Sequence, residues 1–307
     1  MVIVSTPKTK KPMWSQPGPK ALKSSFPPPW SPGWTRNPKI SSNAKECTFE
    51  NMMFKHTVEH PEITHNDMLD KIISKDLTKT IGSLNKELME EIALSFESIW
   101  GTDTENWKEV VVWDTMIKTI ARTANRIFVG PELCKNDDYL ESCVKWTRAI
   151  QISGAILHTI PNFLKSSLAW FVTIPNRRER NRSMKYTLPL VTQRMTDMER
   201  KRLDPSWEWE EPNDTITWLI HDSQTRTLPH EKSAEGLAYR LLLLNFAAVS
   251  TSAIGVTSAI FDIFSSPVSS HVPEGIYEEC SRVLSSEPNG VWTKTGWGGG
   301  HRIGEEG

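Results

Sequence analysis

Leu241-Leu242-Leu243-Leu244-Asn245-Phe246-Ala247-Ala248-Val249-Ser250-Thr251-Ser252-Ala253-Ile254-Gly255-Val256-Thr257-Ser258-Ala259-Ile260 runs for 20 residues without a charge. That length and neutrality match a bilayer span. They also match a helix that is apolar on all sides because it forms the buried axis of a large helical protein. Polar Asn245, Ser250, Thr251, Ser252, Thr257 and Ser258, with Arg240 and Asp262 close on either side, favour the buried axis. The helical pattern extends from about Ser233 to Ser265. At 1.5 Å rise per residue it is about 45 Å long, and Pro267 ends it.

Working outward, helical periodicity recurs on both sides. Leu69, Ile72, Ile73, Leu77 and Ile81 predict a helix beginning near residue 62, with Thr64 or Asn66 as its cap. Leu88, Ile92, Phe96, Ile99 and Trp100 predict a second helix after Gly82. Trp113, Met116, Ile117, Ile120, Ala124, Ile127 and Phe128 predict a third, stopping at Gly130-Pro131. Tyr139, Cys143, Ile150, Gly154 and Leu157 lie on the apolar side of a fourth, from about Asp138 to Pro161. Shorter helices are expected over 214–221 and 273–285, with a loop at Pro229. Strand signals are almost absent, and there is no internal repeat.

The ends differ in composition. Residues 1–45 hold nine of the chain's 20 prolines. Proline fixes φ and removes donors, so this stretch is expected to be disordered, with polyproline II character in part. The last 18 residues hold seven of the 16 glycines, and residues 291–307 are expected to be an unstructured tail. That leaves residues 46–290 as a helical domain. Val2 to Val4 is too short an apolar run for a signal peptide or a membrane anchor. The net charge of −1 offers no support for a polyanion or nucleic-acid binder. Four scattered cysteines, Cys47, Cys134, Cys143 and Cys280, form no CxxC pair and are expected to be reduced thiols.

Few local motifs suggest chemistry. His56-Thr57-Val58-Glu59-His60 fits H-x-x-E-H, in which two helical histidines bind zinc beside a glutamate base. Pro61 comes next in the chain, and no third ligand stands out, although His65 or Cys47 could serve, so a surface loop and no metal site are expected. Residues 177–202 carry nine Lys/Arg against three acids and are expected to form a solvated helix face. Nucleotide-binding and nucleophile-elbow motifs are absent, which removes local support for NTPase, dinucleotide-binding and hydrolase activities.

Ala121-Arg122-Thr123-Ala124-Asn125-Arg126-Ile127-Phe128-Val129-Gly130, with Leu133-Cys134-Lys135-Asn136 just beyond it, resembles a helix-to-loop signature of fungal cytochromes P-450 of secondary metabolism, similar to ent-kaurene oxidase. The runs Pro212-Asn213-Asp214 to Trp218-Leu219-Ile220 and Asn245-Phe246-Ala247-Ala248-Val249-Ser250-Thr251-Ser252 resemble the approach to, and the oxygen-binding part of, that family's central helix. Glu278 to Leu284 and Trp292-Thr293-Lys294 resemble the family's segment C-terminal to that helix. The matches keep family order over about residues 48–294.

The resemblance implies a mainly α fold, the central helical part of a cytochrome P-450 with one long buried helix at about 233–265. It implies a haem cofactor, an NADPH-dependent reductase, a lipophilic substrate such as a terpenoid, and the endoplasmic-reticulum membrane as the family's location. Ala247 and Ala248 would face the haem. Thr251 and Ser250 would occupy the proton-relay positions, with Ser250 standing where many members carry an acid. None of the four cysteines has the FxxGxxxCxG context that thiolate ligation needs, and the stretch after Lys294 is glycine-rich where E-x-x-R is expected. The resemblance therefore implies a family chain truncated before the haem-ligand region, without the membrane anchor, cytoplasmic or peripherally membrane-associated, and inactive as an oxidase. Two alternatives remain: a non-catalytic helical partner of a full-length relative, and a single-pass membrane protein spanning 241–260.

Overall fold

The computed structural model describes residues 2–4, 46–64, 67–103, 105–106, 108–267 and 270–286. Asn66, the tail at 291–307 and most of residues 1–45 lie outside these. The described residues are mainly helical. Eight longer helices carry the fold: α1 (Thr78–Trp100), α2 (Val112–Phe128), α3 (Asp137–Thr159), α4 (Asn162–Val172), α5 (Ile174–Leu203), α6 (Thr215–Gln224), α7 (Ala234–Ser265) and α8 (Val272–Ser286). One parallel strand pair, β1 (Val2–Val4) with β2 (Lys108–Val110), is present, so these three residues depart from the disorder expected at the N-terminus.

Local chemistry sets several helix ends. The Asn136 side chain accepts from the Tyr139 amide, and Asp137 and Asp138 add negative charge to the first turn of α3. Asp214 caps α6 in the same way, and Ser233 caps α7. α2 gives way to Gly130 at φ 88, a left-handed position that suits glycine. Helix spacing then builds the core. Tyr139, Cys143, Trp146, Ile150 and Leu157 on α3 turn inward and are buried.

Two expectations do not hold in full here. The first two predicted helices are not separated at Gly82: Met68–Lys71 passes through a π-helical segment, Ile72–Leu77, into α1, which continues through Gly82. An internal glycine costs only about 1 kcal/mol against alanine, and packing of α1 on α2 outweighs it. The basic stretch is a solvated face only in part, with Arg178, Lys185, Arg200 and Arg202 exposed. It lies in α5, where Arg180 pairs with Glu59, Arg182 with Asp138, Glu141 and Glu179, and Arg194 with Asp214. Apart from the Arg182–Glu179 pair within the helix, these pairs tie α5 to its neighbours.

α7 packs on α2, α5 and α3 and forms the axis of the fold. Its burial is uneven. Gly236 to Asn245 is buried without a break, whereas Ile254, Val256, Phe261 and Phe264 are exposed. By length and hydropathy α7 could cross a membrane. Its first half instead lies inside protein, with Arg240 and Asn245 wholly enclosed, so the buried-axis reading holds for that half.

Candidate functional site: the open face of the central helix

The site begins where the burial of α7 ends. Asn245 is the last residue of the continuous buried run, and its amide is locked in place. Asn125 Nδ2 donates to Asn245 Oδ1 at 2.6 Å, and Asn245 Nδ2 donates back to Asn125 Oδ1 at 3.1 Å. The remaining donors go to the carbonyls of Ala121 and Leu241, one turn back on each helix. The Tyr139 hydroxyl donates to Asn125 Oδ1 at 2.9 Å and brings in α3. Burial pushes the Tyr139 phenol well up, so it stays a donor. Every amide hydrogen in the pair is used, which a wholly buried polar group requires. Phe246 adds edge-on contacts to Phe54 and Trp146, with centroids at 5.5 and 6.3 Å.

One turn further on, Ala247 and Thr251 form an exposed i, i+4 stripe, with Ala248 and Ser250 half-buried beside it. The Thr251 hydroxyl donates to the Ala247 carbonyl at 2.7 Å. The predicted residues thus share one stretch of helix, and the small side chains leave the backbone open to approach. A separate cleft of about 780 Å³, lined by Met195, Met198, Ile220, His221 and Lys232 among others, lies between α5 and α6 and includes none of them.

The predicted motif at His56 and His60 does not assemble a metal centre. Glu59 is held by Arg180, and His60 Nδ1 lies 3.0 Å from Glu62 Oε1. Burial, with Lys55 and Lys165 nearby, lowers the His56 pKa. Among the described residues no group of three His, Cys, Asp or Glu could hold a metal ion.

The amide pair was missed in the sequence, although Asn125 and Asn245 both sit inside the family-like blocks. The available signal was a lone asparagine on the inward face of each helix.

Helix order, an open-faced central helix and the two signature blocks together describe one half of a haem-monooxygenase architecture, and comparison with known proteins agrees. The chain is 33% identical over 242 residues to the cytochrome P-450 monooxygenase gloP of Glarea lozoyensis, covering 79% of this chain and 43% of that protein. It is 31% identical over 224 residues to htyF of Aspergillus rugulosus, covering 73% and 32%. Against okaG of Penicillium ochrochloron it is 28% identical over 225 residues, covering 72% and 41%. No family model matches, and no solved structure matches. The chain belongs to the cytochrome P-450 monooxygenase family. It spans less than half the length of these curated relatives.

The family implies haem, but the residues present do not complete a haem-thiolate site. All four cysteines are described. Cys143 is buried on α3 beside Ser183, and Cys134 is buried in the turn after α2, bonded to the Pro131 carbonyl. Burial pushes both thiols up to about 11, so neither is a thiolate at neutral pH. Cys47 and Cys280 are exposed, and neither sits in the glycine-rich ligand pattern.

Proposed function

We propose that this chain forms the oxygen-side half of a cytochrome P-450-type architecture and does not by itself carry out haem-thiolate oxidation. The observation that supports this reading is the pairing of an exposed Ala247/Thr251 stripe with four thiols that are either protonated and buried or surface-exposed. Haem, when bound in this family, supplies oxygen activation. Were haem held against this chain, Ala247 and Ala248 would face the flat ring, and Thr251 and Ser250 would be the hydroxyls placed to pass protons. The reaction class of the family is oxidation of a lipophilic small molecule with electrons from an NADPH-dependent reductase. A fungal secondary metabolite such as a terpenoid is the substrate class the resemblance supports. A position in the cytoplasm or at a membrane surface completes the reading, supported by the exposed aromatics of α4.

The test is an absorbance spectrum of the purified, reduced, carbon-monoxide-treated protein after incubation with haemin. The expected result is no thiolate-type Soret band. Stoichiometric haem with that band would overturn the proposal.

A second reading has its own support. Ile254, Phe261 and Phe264 stand exposed along one side of the second half of α7, and apolar exposure of this kind marks partner surfaces. A non-catalytic partner docked through that face would co-purify with a full-length relative. A monomeric, monodisperse protein in the presence of that relative would count against it.

A further inference from the structure

The cleft between α5 and α6 opens at the surface and is floored by the core. Met198 and Ile220 belong to the hydrophobic core, and half-buried Met195 packs against it. Helix spacing builds the walls. Met195, Met198 and Arg202 recur at three and four residues along α5, and Ile220 and Gln224 stand one turn apart on α6. The cleft measures about 780 Å³, a size common among small-molecule sites. Water against thioether and aliphatic side chains is a poor occupant, because removing such surface from water is favourable. Unbranched methionine side chains also adjust to irregular shapes.

The charges at the rim are unequally engaged. Glu199 accepts two hydrogen bonds from Arg202, and Glu211 is held by His221. Both carboxylates of the lining therefore have partners, as does its guanidinium. Lys201 donates to the carbonyls of Pro205 and Trp207, which carry no full charge. Lys232 is exposed and has no side-chain hydrogen bond or ion pair among the described residues. Gln224, also exposed, adds an amide without a partner among them. Two ammonium groups are thus left without a carboxylate, so the unbalanced charge of the cleft is positive. A cationic guest would have to take Glu199 from Arg202 or Glu211 from His221, whereas an anionic guest meets Lys232 directly.

We propose that the α5–α6 cleft binds a small apolar carboxylate, with its hydrocarbon part on Met195, Met198 and Ile220 and its carboxylate at Lys232, where the Gln224 amide is a second donor. A charge-assisted hydrogen bond is roughly twice as strong as a neutral one, so the carboxylate sets the affinity difference and the methionine floor supplies the rest. The site lies apart from Ala247, Ala248, Ser250 and Thr251 and needs no haem, so it stands or falls independently of the proposed function.

The experiment is isothermal titration calorimetry of the full chain with decanoate, kept below its micelle concentration, and with decanol as the uncharged counterpart. The expected result is a single decanoate site, about tenfold tighter than the decanol site. K232Q should lose about tenfold of the decanoate affinity and leave decanol binding unchanged. M195Q keeps the volume of the floor but makes it polar, and should weaken both ligands by about tenfold. Decanoate should also slow backbone hydrogen exchange over residues 195–202 and 217–224. Lys232 is exposed, so K232Q should keep the wild-type far-UV circular dichroism spectrum, and its selective effect on decanoate decides the matter even if M195Q folds poorly. A wild type that binds no decanoate, or binds it no better than decanol, overturns the proposal. If K232Q binds decanoate as tightly as the wild type, the ligand sits on another apolar face and the cleft is not its site. None of these outcomes bears on the haem spectrum.

Discussion

Asn125 and Asn245, 120 residues apart in sequence, exchange side-chain hydrogen bonds in both directions and join α2 to α7 at the centre of the core. Both are wholly buried, so each group is costly to leave unpaired. Asn245→Leu leaves the Asn125 amide short of partners on one side. It should destabilise the fold by about 2–4 kcal/mol, combining a buried unsatisfied amide with overpacking. In urea unfolding, a double-mutant cycle between N125A and N245A should give a coupling of about 1–2 kcal/mol. Additive single effects would refute the pairing.

The thiol arrangement behind the haem argument can be counted directly. Native protein should react with a thiol reagent at Cys47 and Cys280, both exposed, and spare Cys134 and Cys143. Burial also holds those two thiols near 11, so raising the pH to about 8 should not recruit them within minutes. All four should react in denaturant. Fast native labelling of Cys143 would contradict its position on α3.

Asp214 caps α6 and also accepts both contacts from Arg194 Nη1, each at 2.9 Å. Their side chains are 8% and 11% exposed. Asp214→Ala removes a cap and strands a nearly buried guanidinium, and should cost about 3–5 kcal/mol. Arg202→Gln, on an exposed pair with Glu199, should leave the unfolding midpoint almost unchanged.

Acid should loosen the contact between Asp67, at the start of Met68–Lys71, and Arg226, just past the end of α6. Arg226 and Lys71 hold the exposed Asp67 carboxyl down at about 2. A depressed carboxylate stabilises the fold above its unfolded pKa and loses that contribution as pH falls through the folded value, so the window lies between about pH 4 and pH 2. Asp138 and Glu141, lowered by Arg182, act in the same direction. Arg226→Met should shift the acid unfolding midpoint upward, as monitored by circular dichroism.

Thr251 makes a bond only to the carbonyl one turn back and is exposed. Thr251→Ala should therefore change stability by less than about 0.5 kcal/mol. A large loss would mean that the stripe is covered in the folded protein.

Much of this fold could be read from periodicity. α2, α3, α6, α7 and α8 begin and end close to where apolar spacing and turn residues put them, because capping side chains such as Asn136, Asp214 and Ser233 are local signals. α4 was not predicted, since its apolar arc faces outward and two prolines, Pro161 and Pro175, flank it. The polar composition of α5 concealed that three of its arginines, Arg180, Arg182 and Arg194, pair with acids of the 58–60 turn, of α3 and of the α6 cap. Ala247, Ala248, Ser250 and Thr251 were placed correctly on one helix segment, but their exposure depends on what packs against them. The mutual recognition of Asn125 and Asn245 needs a tertiary fold, and no local spacing could have displayed it.

α7 resembles a beam set into masonry at one end. Leu237 to Asn245 is gripped on every side, while the run from Ile254 to Ser265 projects with much of its surface bare. Thermal opening should therefore start at the free tip and stop at the grip. Under brief digestion, a protease should nick beyond Ser252 and leave residues up to that point as a resistant remnant.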